Sequence, residues 1–278
     1  MSTTAMTEQR TKPNYATPGF GATLASEWTK FISLRSTYIT LAIAFVLSVG
    51  MAALLALAVG ATYSDWNEAE QATFDPITFS FSGWLFGSIV FIVLGVLLVS
   101  NEYSSKMMPL TLTVTPQRGR LVAAKLLLVG VVTMVAAVIT MISMFYAAQI
   151  VFGLFDMPTV GLFDEGVPRA IIGTGLLTPM FPLIGACLAF VLRSTAGAIT
   201  ATLGFLWLPS IVGSFLPRWW QENIISLLPS NAADALTISH IQSSDSMLDS
   251  MPLAAVVVAA WMVLFIGLAY VSFTRRDA

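Results

Sequence analysis

Six mainly apolar stretches dominate this chain, each near or above the ~20 residues a helix needs to cross ~30 Å of hydrocarbon. They run over residues 37–60, 79–100, 121–152, 170–192, 195–216 and 252–273. Only 10% of the residues are charged and 56% are hydrophobic, where soluble domains carry about 25% charged residues. A chain segment in lipid must satisfy its own backbone polar groups, so each stretch is expected to be a helix. The expected fold is an all-α integral membrane protein with six transmembrane helices. The third stretch is long enough to tilt or to project beyond the bilayer.

The basic residues orient these spans. With both termini inside, the cytoplasmic side receives Arg10, Lys12, Lys30, Arg35, Lys106, Arg118, Arg120, Lys125, Arg193, Arg275 and Arg276. The outer side keeps only Arg169 and Arg218, with most of the acidic residues. Lys125 lies close enough to a span end to snorkel to the interface. The localisation this implies is a multi-pass protein of the cell membrane with both termini cytoplasmic. Residues 1–19 are polar, lack the apolar run of a signal peptide and read as a flexible cytoplasmic tail. The first span is then expected to serve as the uncleaved targeting signal.

Two segments outside the spans also read as helices. Over 20–36, Phe20, Leu24, Trp28 and Phe31 recur at helical spacing, with Glu27 and Lys30 placed off that stripe. This is the pattern of an amphipathic helix in the membrane interface, with Trp28 at headgroup level. Between the fifth and sixth spans, Trp219 and Trp220 suit an outer interface. Pro229 breaks that run, and Ser230 or Asn231 can cap a second short helix.

What the chain lacks narrows its chemistry. The six spans carry no Asp, Glu or His at their centres, whereas ion-coupled transporters and intramembrane proteases place costly ionisable groups there for a reason. The single histidine, His240, falls in an outer loop and the single cysteine, Cys187, has no partner for a disulfide or a metal site. A net charge of −2 argues against a nucleic-acid partner. There is no GxxxxGK[ST] phosphate loop, so ATP chemistry would have to reside on a separate polypeptide. Pro179 and Pro182 in the fourth span and Pro209 in the fifth break backbone hydrogen bonds, either as hinges beside a substrate path or as static kinks. The aromatic set Phe79, Phe81, Trp84, Phe86 and Phe91 either lines a route for an apolar substrate or packs between helices and lipid.

The loop from Asn101 to Lys125 is the one long internal segment with several basic residues. It holds Glu102-Tyr103, then Thr115-Pro116, Arg118, Arg120 and Lys125. In that order, and with Leu192 to Ala198 (LRSTAGA) and Leu227 to Leu236 (LLPSNAADAL) downstream, the chain resembles the small six-span permeases of the type-2 ABC exporter family. It departs from the family pattern at Ser104-Ser105-Lys106-Met107, where a small or Gly-Thr step is common.

The resemblance implies a six-span permease domain over 37–278 and a coupling helix within Glu102 to Thr113 that docks on a separate ABC ATPase. Contacts are expected from Glu102, Tyr103, Lys106, Met107, Met108, Arg118 and Arg120, with Leu110 and Leu112 adding apolar surface and Glu102 pairing with Lys106 along one helix face. The interfacial helix residues Trp28, Lys30 and Phe31 are expected near the same partner. The candidate substrate path comprises Phe86, Phe91, Pro179, Pro182 and Pro209, leading between this chain and a second permease copy or sister permease. No cofactor is expected on this chain, since ATP and Mg would bind the ATPase. The competing reading is a membrane-embedded accessory or immunity protein that transports nothing.

Overall fold

The structure, a computed structural model, describes residues 19–114, 117–237 and 251–275. The Thr115-Pro116 turn, His240, most of the N-terminal tail and the side chains of Pro109 and Leu112 lie outside the described residues. The regular structure of the described residues is helical: α1 (Phe20–Ser33), α2 (Arg35–Tyr63), α3 (Glu68–Ala72), α4 (Pro76–Ser80), α5 (Trp84–Ser104), α6 (Met108–Val114), α7 (Arg118–Leu154) and α8 (Val167–Leu177). Then follow α9 (Met180–Leu192), α10 (Thr195–Gly213), α11 (Arg218–Trp220), a π-helical turn (Gln221–Ile225), α12 (Pro229–Thr237) and α13 (Met251–Arg275). Six segments are long and apolar enough to span a membrane: α2, α5, α7, α8 continuing into α9, α10 and α13. This is the expected all-α six-span membrane protein.

Span boundaries shift where local chemistry decides them. The second span begins at Trp84, because Asp75 and Pro76 start the separate helix α4, Asp75 accepting a hydrogen bond from the Ile77 N–H at 2.9 Å. Phe79 therefore leaves the aromatic set of that span and packs against Phe74 at 5.1 Å. The third span, α7, has 37 residues, about 55 Å at 1.5 Å per residue, and outreaches the hydrocarbon at one or both ends. The fourth is broken at Thr178-Pro179. Pro182 cannot donate to the Thr178 carbonyl, and the Phe181 N–H takes that acceptor at 3.1 Å in a tightened turn.

Close helix approach rests on small side chains. Ala44, Ser48, Ala52, Ala56 and Gly60 recur every fourth residue along one face of α2, and all are buried. They face α5 and α7, as small-residue faces do where helices pack in lipid. A Cβ added at Gly83 or Gly87 of α5 would collide with Ser48, and one at Gly95 with the Pro182 carbonyl of α9. The largest apolar core lies between α5, α7, α9, α10 and α13, with Ile92, Ile184, Phe190 and Leu206 fully buried.

The other quoted motifs form structural joints. In LRSTAGA, Arg193 ends α9 in the left-handed region (φ 52°), and the Ser194 hydroxyl caps α10 by accepting from the Gly197 N–H at 3.2 Å. In LLPSNAADAL, Ser230 donates to the Leu206 carbonyl at 3.0 Å and the Asn231 amide to the Ile225 carbonyl at 2.6 Å. The first contact lies beside the turn that Pro209 weakens, since Pro209 has no N–H for the Phe205 carbonyl.

Gly87→Val is expected to cost about 1–3 kcal/mol by forcing α5 away from α2. Gly50→Ala, whose new methyl meets open space, is expected to be neutral or mildly stabilising. Thermal unfolding of the purified variants in detergent separates the two.

Candidate functional site

Two acids and two bases converge at one end of the bundle. α1 lies there across the start of α2, the end of α5 and the start of α7. Its buried stripe is Thr23, Glu27 and Phe31, while Phe20, Trp28 and Ile32 face outward. Glu27 is thus on the inward face, contrary to the expectation that it sits off the apolar stripe. At ~100° per residue it falls about 40° from Phe31.

Glu27 anchors a four-membered ion cluster. Lys125 Nζ donates to Glu27 Oε2 at 2.7 Å and to Glu102 Oε1 at 2.8 Å, with the Leu98 carbonyl at 3.4 Å. Lys30 Nζ donates to Glu27 Oε1 at 2.7 Å and to the same Glu102 Oε1 at 2.9 Å. Side-chain exposure is 2% for Lys125, 3% for Glu27, 13% for Glu102 and 42% for Lys30. Two acids and two bases make the cluster neutral, which is how four charges persist where a lone one would be costly. Glu102 Oε2 is buried with no hydrogen-bond partner among the described residues. Burial works against the Lys30 ammonium, but the hydrogen bonds and charges of Glu27 and Glu102 outweigh it and raise the Lys30 pKa above 10.5.

Two sequence expectations fail here for identifiable reasons. Lys125 does not snorkel: α7 begins two turns before it, α1 covers it, and its ammonium points into the protein. Glu102 does not pair with Lys106, because the helix ends between them. Ser104 is the last helical residue, Ser105 caps it, and Lys106 adopts φ 56°. The Met107 N–H bonds to the Glu102 carbonyl at 3.0 Å and the Lys106 N–H to the Tyr103 carbonyl at 3.2 Å. These bonds form a Schellman turn with lysine in the place usually held by glycine. The departure at Ser104-Ser105-Lys106-Met107 therefore keeps a glycine-type turn without the glycine.

The remaining candidates separate into groups. Met108 is 2% exposed and seats α6 in the bundle, whereas Met107 and Leu110 are 48% and 57% exposed. Tyr103 packs under the Arg193 guanidinium at 5.7 Å, tying the turn between α9 and α10 to the end of α5. Arg118 donates to the Phe273 and Thr274 carbonyls, both at 3.4 Å, covering the C-terminal end of α13. Arg120 lies two residues further along α7, about 200° around the helix, and is partly buried. Trp28 stacks on Phe31 at 5.9 Å.

The proposed path residues are not brought together in this conformation. Phe91 is buried against Phe31, Ala44 and Leu128, Pro179 and Pro182 are buried, Pro209 is partly buried in α10, and Phe86 is 37% exposed on the outside. Among the described residues no group of His, Cys, Asp or Glu is placed to hold a metal ion.

Six helical segments long and apolar enough to cross a membrane, with an ion cluster tying three helices together at one end, define a multi-pass membrane protein. The chain belongs to the ABC-2 transporter family: residues 23–208, about two thirds of its length, match the family described as ABC-2 family transporter protein. That match starts within α1 and ends within α10, so it includes every member of the ion cluster. The protein is accordingly a permease component of an ABC transporter, of a family without an ATPase domain of its own. No curated protein matches the sequence.

Lys125→Met is expected to destabilise the protein by about 3 kcal/mol, because Glu27 is left buried with a single partner. The double variant Lys125→Met/Glu27→Gln is expected to lose clearly less than the sum of the singles, measured by unfolding in detergent. Lys106→Gly is expected to be neutral or to gain about 1 kcal/mol and Lys106→Val to lose at least as much, because only glycine is at ease in that region. The same melting assay ranks them.

Proposed function

We propose that this chain is the membrane-spanning subunit of an ATP-driven exporter, working with a separate ABC ATPase and with a second permease copy or sister permease. The observation that carries this reading is the ion cluster beside α6. It joins α1, α5 and α7 through charged contacts of 2.7–2.9 Å, while Met107, just before α6, and Leu110 within it are exposed to the surroundings. Exposed, adaptable apolar side chains of this kind suit a protein contact. ATP and Mg reside on the ATPase. Its closure pushes α6 and α1, and the cluster passes that displacement to the second and third spans.

The same end faces the cytoplasm, with both termini, in the cell membrane. Among the described residues it holds Lys30, Arg35, Lys106, Arg118, Arg120, Lys125, Arg193 and Arg275 against Glu27 and Glu102. The opposite end holds Arg169 and Arg218 against Asp65, Glu68, Glu70, Asp75, Asp156, Asp164, Glu165, Glu222 and Asp234. This asymmetry supports the orientation. Spans without ionisable groups at their centres suit a hydrophobic cargo such as a drug, lipid or peptide, moved outward.

Co-expression with the ATPase encoded beside it provides the test. Met107→Asp/Leu110→Asp is expected to reduce both co-purification of the ATPase and substrate-stimulated ATP hydrolysis by about ten-fold, as for loss of an interface anchor. The melting temperature of the isolated chain should not change. A chain that binds no ATPase at all would support the accessory or immunity reading instead.

A further inference from the structure

A cleft of about 290 Å³ opens beside the ion cluster, between α1, the start of α2, the last turns of α5 and α6. Its volume is close to the ~300 Å³ at which ligand pockets begin. Along α5 its wall runs from Leu94 to Ser105, about 16 Å at 1.5 Å per residue. The wall changes character along that length. The deep part is apolar, with Leu94, Leu97 and Leu98 from a membrane-spanning segment and Phe31 from α1.

The shallow part is lined with polar groups, including donors that the protein leaves unused. Lys30 spends two of its three N–H groups on Glu27 and Glu102, leaving the third without an acceptor among the described residues. The Asn101 side-chain amide makes no hydrogen bond there. Thr37, only 5% exposed, lines the cleft with its hydroxyl unpartnered among the described residues. The N-terminus of the 29-residue helix α2 opens on the same spot, with no side-chain cap and no acidic residue in its first turn. Such a helix end favours an anion.

We infer that this cleft binds a membrane glycerophospholipid, its phosphate held by Lys30, Asn101, Thr37 and the α2 N-terminus and one acyl chain laid along Leu94 and Leu97. The polarity gradient selects an amphiphile over a free ion. A segment of a water-soluble partner would have to enter the hydrocarbon to fill the deep half. The site is independent of whether the ion cluster transmits force, since binding is read without ATP or cargo.

The test uses the full chain in phosphatidylcholine nanodiscs doped with a phosphatidylglycerol carrying a diazirine midway along one acyl chain. Diacylglycerol with the same chain is the control, and labelled peptides are found by mass spectrometry. Phosphatidylglycerol is expected to label the Leu94–Leu98 region about five-fold more than diacylglycerol, the scale of one net hydrogen bond. Thr37→Val, which keeps the shape of the cleft, is expected to narrow the difference between the two lipids, and Leu97→Trp to abolish labelling by both. Excess inorganic phosphate is expected to change nothing.

Equal labelling by the two lipids in the parent chain, or labelling indifferent to Leu97→Trp, overturns the inference. Displacement by inorganic phosphate would also overturn it, making this a free-anion site. The melting temperatures of both variants are measured alongside. If Leu97→Trp does not fold, the Thr37→Val result alone decides.

Discussion

Charges in a medium of low dielectric must find partners, and here that need fastens the N-terminal helix to the bundle. Glu27 is buried on α1, a short helix with apolar residues on its outer side. Its carboxylate reaches Lys125 across the start of α7, and Glu102 completes the pairing from the end of α5. Removing any one member leaves a buried charge with too few partners. The cluster therefore fixes where α1 lies, and α1 in turn roofs the cleft and sets the surroundings of α6. Much of the arrangement at this end of the molecule follows from four side chains.

The rest of the bundle is organised by closeness more than by charge. α5 and α9 touch nearly backbone to backbone where Gly95 meets Pro182, and a Cβ added at Gly185 would come within 3.0–3.4 Å of Val96 and Ile92 of α5. Helices packed this closely have little room to slide, because their contacts are between atoms that cannot change rotamer. The first, fifth and sixth spans are far less buried than the second and fourth. Their outer surfaces are left to lipid or to another chain.

The spans were legible in the sequence because 20-residue apolar runs have few other uses. Their internal breaks were partly legible: Pro179 and Pro182 marked the interruption of the fourth span, but nothing in the apolar run from Phe79 revealed that Asp75 and Pro76 would start a separate helix. The ion cluster was harder to see. Its members are spread over nearly a hundred residues, and pairing across such a distance leaves no local spacing to read. The one signal was Glu27 itself, an acid four residues before Phe31 and so close to it on the helix face. The expected Glu102–Lys106 pair shows the opposite error, since an i, i+4 spacing means nothing once the helix has ended. In LRSTAGA, the polar residues serve to end one helix and begin the next.

Both lysines of the cluster draw on a single oxygen of Glu102, and the other oxygen of that carboxylate is buried without a donor among the described residues. A carboxylate used on one side only can rotate, or let a lysine pass from one oxygen to its neighbour, while the opposite charges stay together. The joint between α1, α5 and α7 thus has a spare acceptor in it: a lysine that leaves one oxygen of Glu102 finds the other beside it, and the opposite charges need not separate.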